Sequence, residues 1–241
     1  MSKKLLMNNY SSGDGLLPIQ DGLVCWLDAF DLTSFAINSV WIDRTNNGNN
    51  GNVTTLDTFS SLSNGILYAK GVVDIPNPIK GLNTFTIEIG YQDMQTGYWS
   101  GLCGFYSGDT STGYNGVSIH QTGNTFGMFP FYLSPPDKAG VKGGKNYFTF
   151  IINSSNVTVY HNGEMFTSFN TKTNYDKEIL PSQSNYLCFM SRKPNSVNEN
   201  VTGGADDRLN KWYYIRIYNK ELSEEEVLTN YQYELSLTRG E

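Results

Sequence analysis

His161 and Glu164 stand three residues apart in "NVTVYHNGEMFTSF", residues 156 to 169. A histidine beside a carboxylate is raw material for general acid–base chemistry. Between them lies Asn162-Gly163, a dipeptide suited to a type I′ turn, whose two central residues both need positive φ. Val157 and Val159 alternate with Thr158 and Tyr160 on the strand before it. The spacing predicts a hairpin whose ends make His161 and Glu164 cross-strand neighbours. Proximity of that origin does not imply catalysis. The second histidine is His120, so a His-based triad or metal cage has little material.

Glycoside cleavage commonly uses two carboxyl groups about 5–10 Å apart. The strand-like run "TFTIEIGYQD" offers Glu88 and Asp93, five positions apart. An odd spacing on a regular strand points them to opposite faces. No other run offers a two-carboxylate strand pattern such as E-x-D-x-x-E, and there is no G-x-S-x-G nucleophile elbow. No glycine-rich phosphate loop precedes a helix. The three cysteines, Cys25, Cys103 and Cys188, are flanked by apolar residues in "LVCWL", "GLCGF" and "YLCFM". That setting predicts buried, reduced packing thiols rather than nucleophiles or a disulfide framework. On these grounds the expectation is a chain that is not an enzyme.

Two stretches carry hard oxygen donors. "WIDRTNNGNNG" offers Asp43 and Asn46, and "GGADDRLN" offers Asp206 and Asp207. Such oxygens fit a hard cation, although a carboxylate in an Asn/Gly-rich loop also caps turns. Aromatics cluster with Gly, Ser and Asn in "TGYWSGLCGFYSGDTSTGYNG" and "FGMFPFYLSPPD". Aromatic faces and amide or hydroxyl groups together suit the apolar faces and hydroxyl rim of a sugar. Tyr98, Trp99, Tyr114 and Tyr132 are the candidates, because they fall at expected turns or strand ends.

The elements that must position these residues are strands. Aromatics make up 14% of the 241 residues and charged residues only 17%, while Gly and Asn are abundant. Aromatic and β-branched residues favour strands, and Gly and Asn favour turns. Short apolar-alternating runs recur from "GLVCWLDA" to "NKWYYIRIYN", separated by turn residues, the pattern of a sandwich or barrel. One helix is expected, in "LSEEEVLTNYQYEL". Ser223 fits the N-cap, Glu226 closes a capping box, and Leu222 with Val227 occupies the positions of a hydrophobic staple. Val227, Leu228 and Tyr231 form its expected apolar stripe. Residues 1–20 read as a polar arm or tether and 21–241 as one domain.

The net charge of −6 and the lack of a basic run argue against nucleic acid. No stretch approaches the roughly 20 apolar residues that a spanning helix needs. "MSKKLLMNNYSSGDG" starts basic but has no long apolar core, so it is a poor signal peptide.

Five pieces in order carry a resemblance: "DGLVCWLDAFD", "WIDRTNNGNNG", "TFTIEIGYQ", "NVTVYHNGE" and "WYYIRIYNKELSEEEVLTNY". The chain resembles laminin-G-like, concanavalin A-like lectin/glucanase domains of the type found in phage virion and bacterial surface proteins. The resemblance covers roughly residues 21 to 235. It implies an all-β fold, a jelly-roll sandwich of two antiparallel sheets with one short C-terminal helix. It implies a structural calcium, for which Asp43, Asn46, Asp206 and Asp207 are the candidate ligands. Where many relatives hold an Asp in the last strand, this chain has the tyrosines of "WYYIRIY". Its function would then be to bind a glycan or host cell-surface polysaccharide from a virion or a bacterial surface. A decoration or oligomerisation module contacting other virion or surface subunits is the alternative, and a polysaccharide hydrolase a third.

Overall fold

The computed structural model describes residues 17–32, 38–56, 61–69, 71–93, 99–106, 116–122, 125–129, 144–154, 156–170, 185–190 and 210–237. Among them the chain order is β1 (Leu23–Asp28), a 3-10 turn (Ala29–Asp31), β2 (Val40–Trp41), β3 (Gly51–Leu56), β4 (Ser61–Ser63), β5 (Ile66–Ala69) and β6 (Gly71–Pro76). There follow β7 (Thr84–Asp93), β8 (Trp99–Tyr106), β9 (Gly116–Thr122), β10 (Thr125–Phe129) and β11 (Lys145–Asn153). The remainder is β12 (Asn156–His161), β13 (Glu164–Asn170), β14 (Tyr186–Phe189), β15 (Asn210–Tyr218) and the helix α1 (Glu224–Ser236).

These strands form a sandwich of two antiparallel sheets with one C-terminal helix. The first sheet runs β13-β12-β11-β7-β15-β5-β4 with β1 also on β15, and the second runs β10-β9-β8-β14-β6-β3-β2. Alternation along the strands divides the first sheet into two faces. Phe85, Ile87, Ile89, Tyr91, Phe148, Phe150, Ile152, Ile215 and Ile217 turn inward. There they meet Val53, Val73, Ile75, Leu187 and Phe189 of the second sheet in one buried cluster. Complete burial of such side chains contributes about 1.5–3 kcal/mol each, so this layer holds the two sheets together.

The opposite face of the first sheet is covered by α1. Leu23, Trp26, Ile151, Tyr160 and Tyr218 of the sheet pack with Leu222, Val227 and Tyr233. A register shift between Leu23 and Cys25 places Leu23 with the helix, while Cys25 and Leu27 stay in the core. Strict alternation along β1 would put all three on one face. The helix starts as its sequence demands: Ser223 accepts from the Glu226 amide at 3.2 Å, and Glu226 accepts from the Ser223 amide at 2.8 Å. The expected stripe differs in detail. Leu228 is exposed, and Asn230, Tyr233 and Glu234 are buried beside Val227. The reason lies beneath the helix, where the sheet presents charge.

Ile19 packs against this helix cluster, and its amide donates to Asn230 Oδ1 at 2.7 Å. No helix among the described residues is long and apolar enough to cross a membrane.

Candidate functional site

One row of side chains crosses the covered face. Strand register aligns Trp26 with Arg216, Arg216 with Glu88, Glu88 with Thr149 and Thr149 with Tyr160. Arg216 Nη1 donates to Glu88 Oε2 at 3.0 Å, and Nη2 donates to Glu234 of α1. Thr149 Oγ1 and Asn230 Nδ2 each donate to Glu88 at 3.1 Å, and Asn230 Nδ2 lies 3.0 Å from Tyr218 Oη. The guanidinium also faces aromatic rings, 4.1 Å from the centre of Tyr214 and 5.3 Å from that of Tyr233. Burial raises the Glu88 carboxyl above its ordinary value, outweighing the opposing pull of Arg216, Asn230 and Thr149. One cation thus sits between two carboxylates. A shifted carboxyl in a cluster is a usual mark of chemistry, but here the helix excludes solvent and substrate alike. The cluster fastens α1 to the sheet.

As sequence, Glu88 reads only as half of an incomplete carboxylate pair, and Arg216, Asn230 and Glu234 carry no expectation. A signal was present. Glu88 stands between Ile87 and Ile89, and Arg216 between Ile215 and Ile217. Asn230 and Glu234 sit four apart on the helix, on one face.

Asp43 lies in a different setting. Its carboxylate is buried and accepts from the amides of Trp26 at 3.0 Å, Thr45 at 3.0 Å and Asn49 at 3.1 Å. The Thr45 hydroxyl is within 2.8 Å of one of its oxygens and 2.7 Å of the other. Asn47 and Asn49 donate side-chain amides to the Val24 carbonyl at 3.1 and 2.8 Å. The loop 43–50 therefore clasps β1 with Asp43 at its centre. Asn46 is exposed and takes a left-handed φ of 60°. This donor set does not fit calcium, which needs several oxygens free to face it; here N–H and O–H groups already occupy both carboxylate oxygens. Asp206 and Asp207 lie outside the described residues. Among those described, no group of three or more His, Cys, Asp or Glu is placed to hold a metal.

The hairpin forms as its turn residues require. Asn162 and Gly163 take φ of 53° and 80°, and His161 pairs with Glu164 in register. The ring of His161, however, stacks on Phe148 at 4.6 Å, and its Nε2 lies 2.9 Å from Asn146 Oδ1. Burial lowers the His161 pKa, against the raising effect of Glu164. The cysteines are buried and free, and burial pushes the Cys25 and Cys103 thiols upward.

Of the aromatic candidates, Trp99 opens β8 opposite Thr122 of β9, and its side chain is outside the described part. Tyr98, Tyr114 and Tyr132 are also outside the described residues. Among the described residues the structure therefore brings together Glu88 and Arg216, and His161 and Glu164.

No family model and no curated protein matches the chain. Solved structures do share the fold. A mutant of Trypanosoma rangeli sialidase displaying trans-sialidase activity is similar at TM-score 0.62 and 16% identity, over 91% of this chain and 34% of that one. Trypanosoma rangeli sialidase in complex with the inhibitor DANA gives TM-score 0.59 and 16% identity, over 92% and 34%. The botulinum neurotoxin serotype D binding domain gives TM-score 0.54 and 13% identity, over 88% and 52%. The chain thus spans about a third of the sialidase chains and about half of the toxin chain. At these identities the likeness establishes the β-sandwich fold alone.

The expectation that the chain is not an enzyme is corrected by the sialidases. It rested on a missing pair of carboxylates, and sialidases are exceptions to that rule because their nucleophile is a tyrosine. Polypeptides that share this fold include such enzymes. The missing run therefore does not exclude glycosidase chemistry.

Proposed function

We propose that the chain is a carbohydrate- or receptor-binding module of the laminin-G-like, concanavalin A-like type. The observation that carries this reading is the fold likeness to a toxin's binding domain over 88% of the chain. The geometry agrees with it. Helix α1 covers part of one outer face of the sandwich, so a ligand surface falls to the other sheet, to the exposed β12–β13 end of this one or to the connecting loops. The ligand is a glycan or a host cell-surface polysaccharide, and the carrier is a phage virion or a bacterial surface assembly. The low charge and the aromatic, Asn-rich connections support a sugar ligand, and the buried free cysteines support assembly in a reducing compartment. The test is binding of the folded chain to a glycan array and to purified bacterial cell walls. Saturable binding competed by free glycan is expected. Absence of binding on both, with an intact unfolding transition, sinks the reading.

The sialidase likeness favours a second reading, in which the chain belongs to a glycoside-processing polypeptide. Release of free sialic acid or of reducing ends from the bound glycan is its measurement.

A further inference from the structure

Five Asn-Gly dipeptides occur in the chain: 47-48, 50-51, 64-65, 115-116 and 162-163. As sequence they are alike, and each carries the least hindered partner for asparagine cyclisation. The structure separates the four that lie wholly among the described residues. Asn47 donates its amide to the Val24 carbonyl at 3.1 Å. Asn50 Oδ1 accepts from the Asp43 amide at 2.9 Å. Asn162 Oδ1 accepts from the Tyr147 amide at 3.1 Å, and the Asn162 amide donates to the Tyr147 carbonyl at 2.8 Å. Ring packing does not distinguish this turn from Asn64-Gly65: a Cβ on Gly163 would meet Tyr231 at 2.6 Å and one on Gly65 would meet Phe30 at 2.5 Å, so the side-chain hydrogen bonds make the difference.

Asn64 alone among these four has no side-chain hydrogen bond. It is exposed, at φ 48°, in the two-residue turn that joins β4 to β5. Its strand β4 has three residues and ends the first sheet. Ring closure requires the Asn side-chain carbon to swing round to the following backbone nitrogen, so it proceeds from a locally opened turn. Opening costs least where few bonds must break.

We propose that Asn64-Gly65 is a site of spontaneous deamidation and isoaspartate formation. The Gly65 backbone nitrogen attacks Asn64 Cγ and gives its proton to solvent. The Cγ–Nδ2 bond breaks and ammonia leaves, forming a five-membered succinimide. Water then opens either carbonyl, giving aspartate or isoaspartate; overall, asparagine plus water becomes the acid plus ammonia, with no oxidant or reductant. The product adds one negative charge at the turn. The isoaspartyl form also adds a carbon to the main chain, which a two-residue turn cannot absorb in register. The chemical class of its partner follows: an isoaspartyl carboxylate is a methyl acceptor for an S-adenosylmethionine-dependent repair methyltransferase.

The experiment is peptide mapping by mass spectrometry of the full chain, aged at mildly alkaline pH with and without urea. In native protein, Asn64 converts about fivefold faster than Asn47, Asn50 or Asn162, the factor that one freed hydrogen bond corresponds to. In urea the four rates converge. Labelling by isoaspartyl methyltransferase and the acidic band on isoelectric focusing both diminish in Asn64→Gln, whose longer side chain cyclises poorly. If any of the other three sites is faster than Asn64 in the native chain, the proposal falls. It falls equally if the native ranking persists unchanged in urea, since local sequence would then explain it.

Discussion

Arg216 and Glu234 join the last strand to the helix through an ion pair in which neither side chain has any solvent exposure. Glu88 completes the cluster from the neighbouring strand. Removing one member of a buried ion pair leaves an uncompensated charge, whereas removing all of it can be neutral. Arg216→Met removes the cation that pairs with Glu88 and Glu234 and leaves these two carboxylates together beneath α1. A loss of about 3–5 kcal/mol is expected, read as a lower urea midpoint. Glu88→Gln keeps the Arg216–Glu234 pair and costs far less, about 1 kcal/mol. Equal losses in the two variants would refute this account of the cluster.

The same cluster sets a pH dependence. The Glu88 carboxyl is raised above its ordinary 4.5, so the folded state binds this proton more tightly than the unfolded one. Its contribution is present below the ordinary value and is lost as pH rises through the folded pKa. His161 acts in the other direction. Its lowered pKa gives a contribution present above the ordinary 6.5 and lost as pH falls through the folded value. Urea midpoints across mildly acidic pH are the measurement. The Glu88→Gln profile should lack the decline on the rising-pH side that wild type shows.

Asp43 holds three backbone amides, those of Trp26, Thr45 and Asn49, within the loop that clasps β1. Asp43→Ala leaves these donors without their acceptor and is expected to cost about 1–3 kcal/mol or more, the range for a single buried unsatisfied group. Because protein donors already occupy the carboxylate, any shift of the thermal midpoint between calcium and a chelator should be the same in Asp43→Ala as in wild type. A calcium shift present in wild type and lost in Asp43→Ala would show that Asp43 holds the ion.

Gly163 takes φ of 80°, and a Cβ there would lie 2.6 Å from the Tyr231 ring. Gly163→Ala therefore combines a left-handed backbone with a clash against α1. A loss of about 1–3 kcal/mol is expected, with the double variant Gly163→Ala/Tyr231→Ala recovering the steric share relative to Tyr231→Ala alone. Full additivity of the two changes in a double-mutant cycle would show that ring and turn do not interact.

Strand alternation, Asn-Gly at a turn and Ser-x-x-Glu at a helix start are local signals; a sandwich or barrel, the hairpin and the capping box were legible from them, while the two-sheet arrangement came only with the family resemblance. The cluster under α1 was not, because it depends on which strands become neighbours. Glu88 and Arg216 are 128 positions apart, and only antiparallel pairing of β7 with β15 puts them opposite each other. Composition pointed to buried thiols for the same reason it missed the charge: apolar neighbours announce burial for cysteine, yet they also surround a glutamate and an arginine whose partners lie far along the chain. Of the aromatic candidates Trp99 opens β8, while Tyr98, Tyr114, Tyr132, Asp206 and Asp207 lie outside the described residues.

Strand β15 lies between β7 on one side and β1 with β5 on the other, and among the described strands it comes last in chain order. During synthesis, therefore, β1 emerges long before the strand it must pair with. Its edge and the Glu88 carboxylate remain unpartnered while the intervening residues are made. The sandwich consequently cannot close from its N-terminal end as it leaves the ribosome. Closure waits for β15 and then α1, so truncated or stalled chains should be sticky, protease-sensitive species that depend on chaperones.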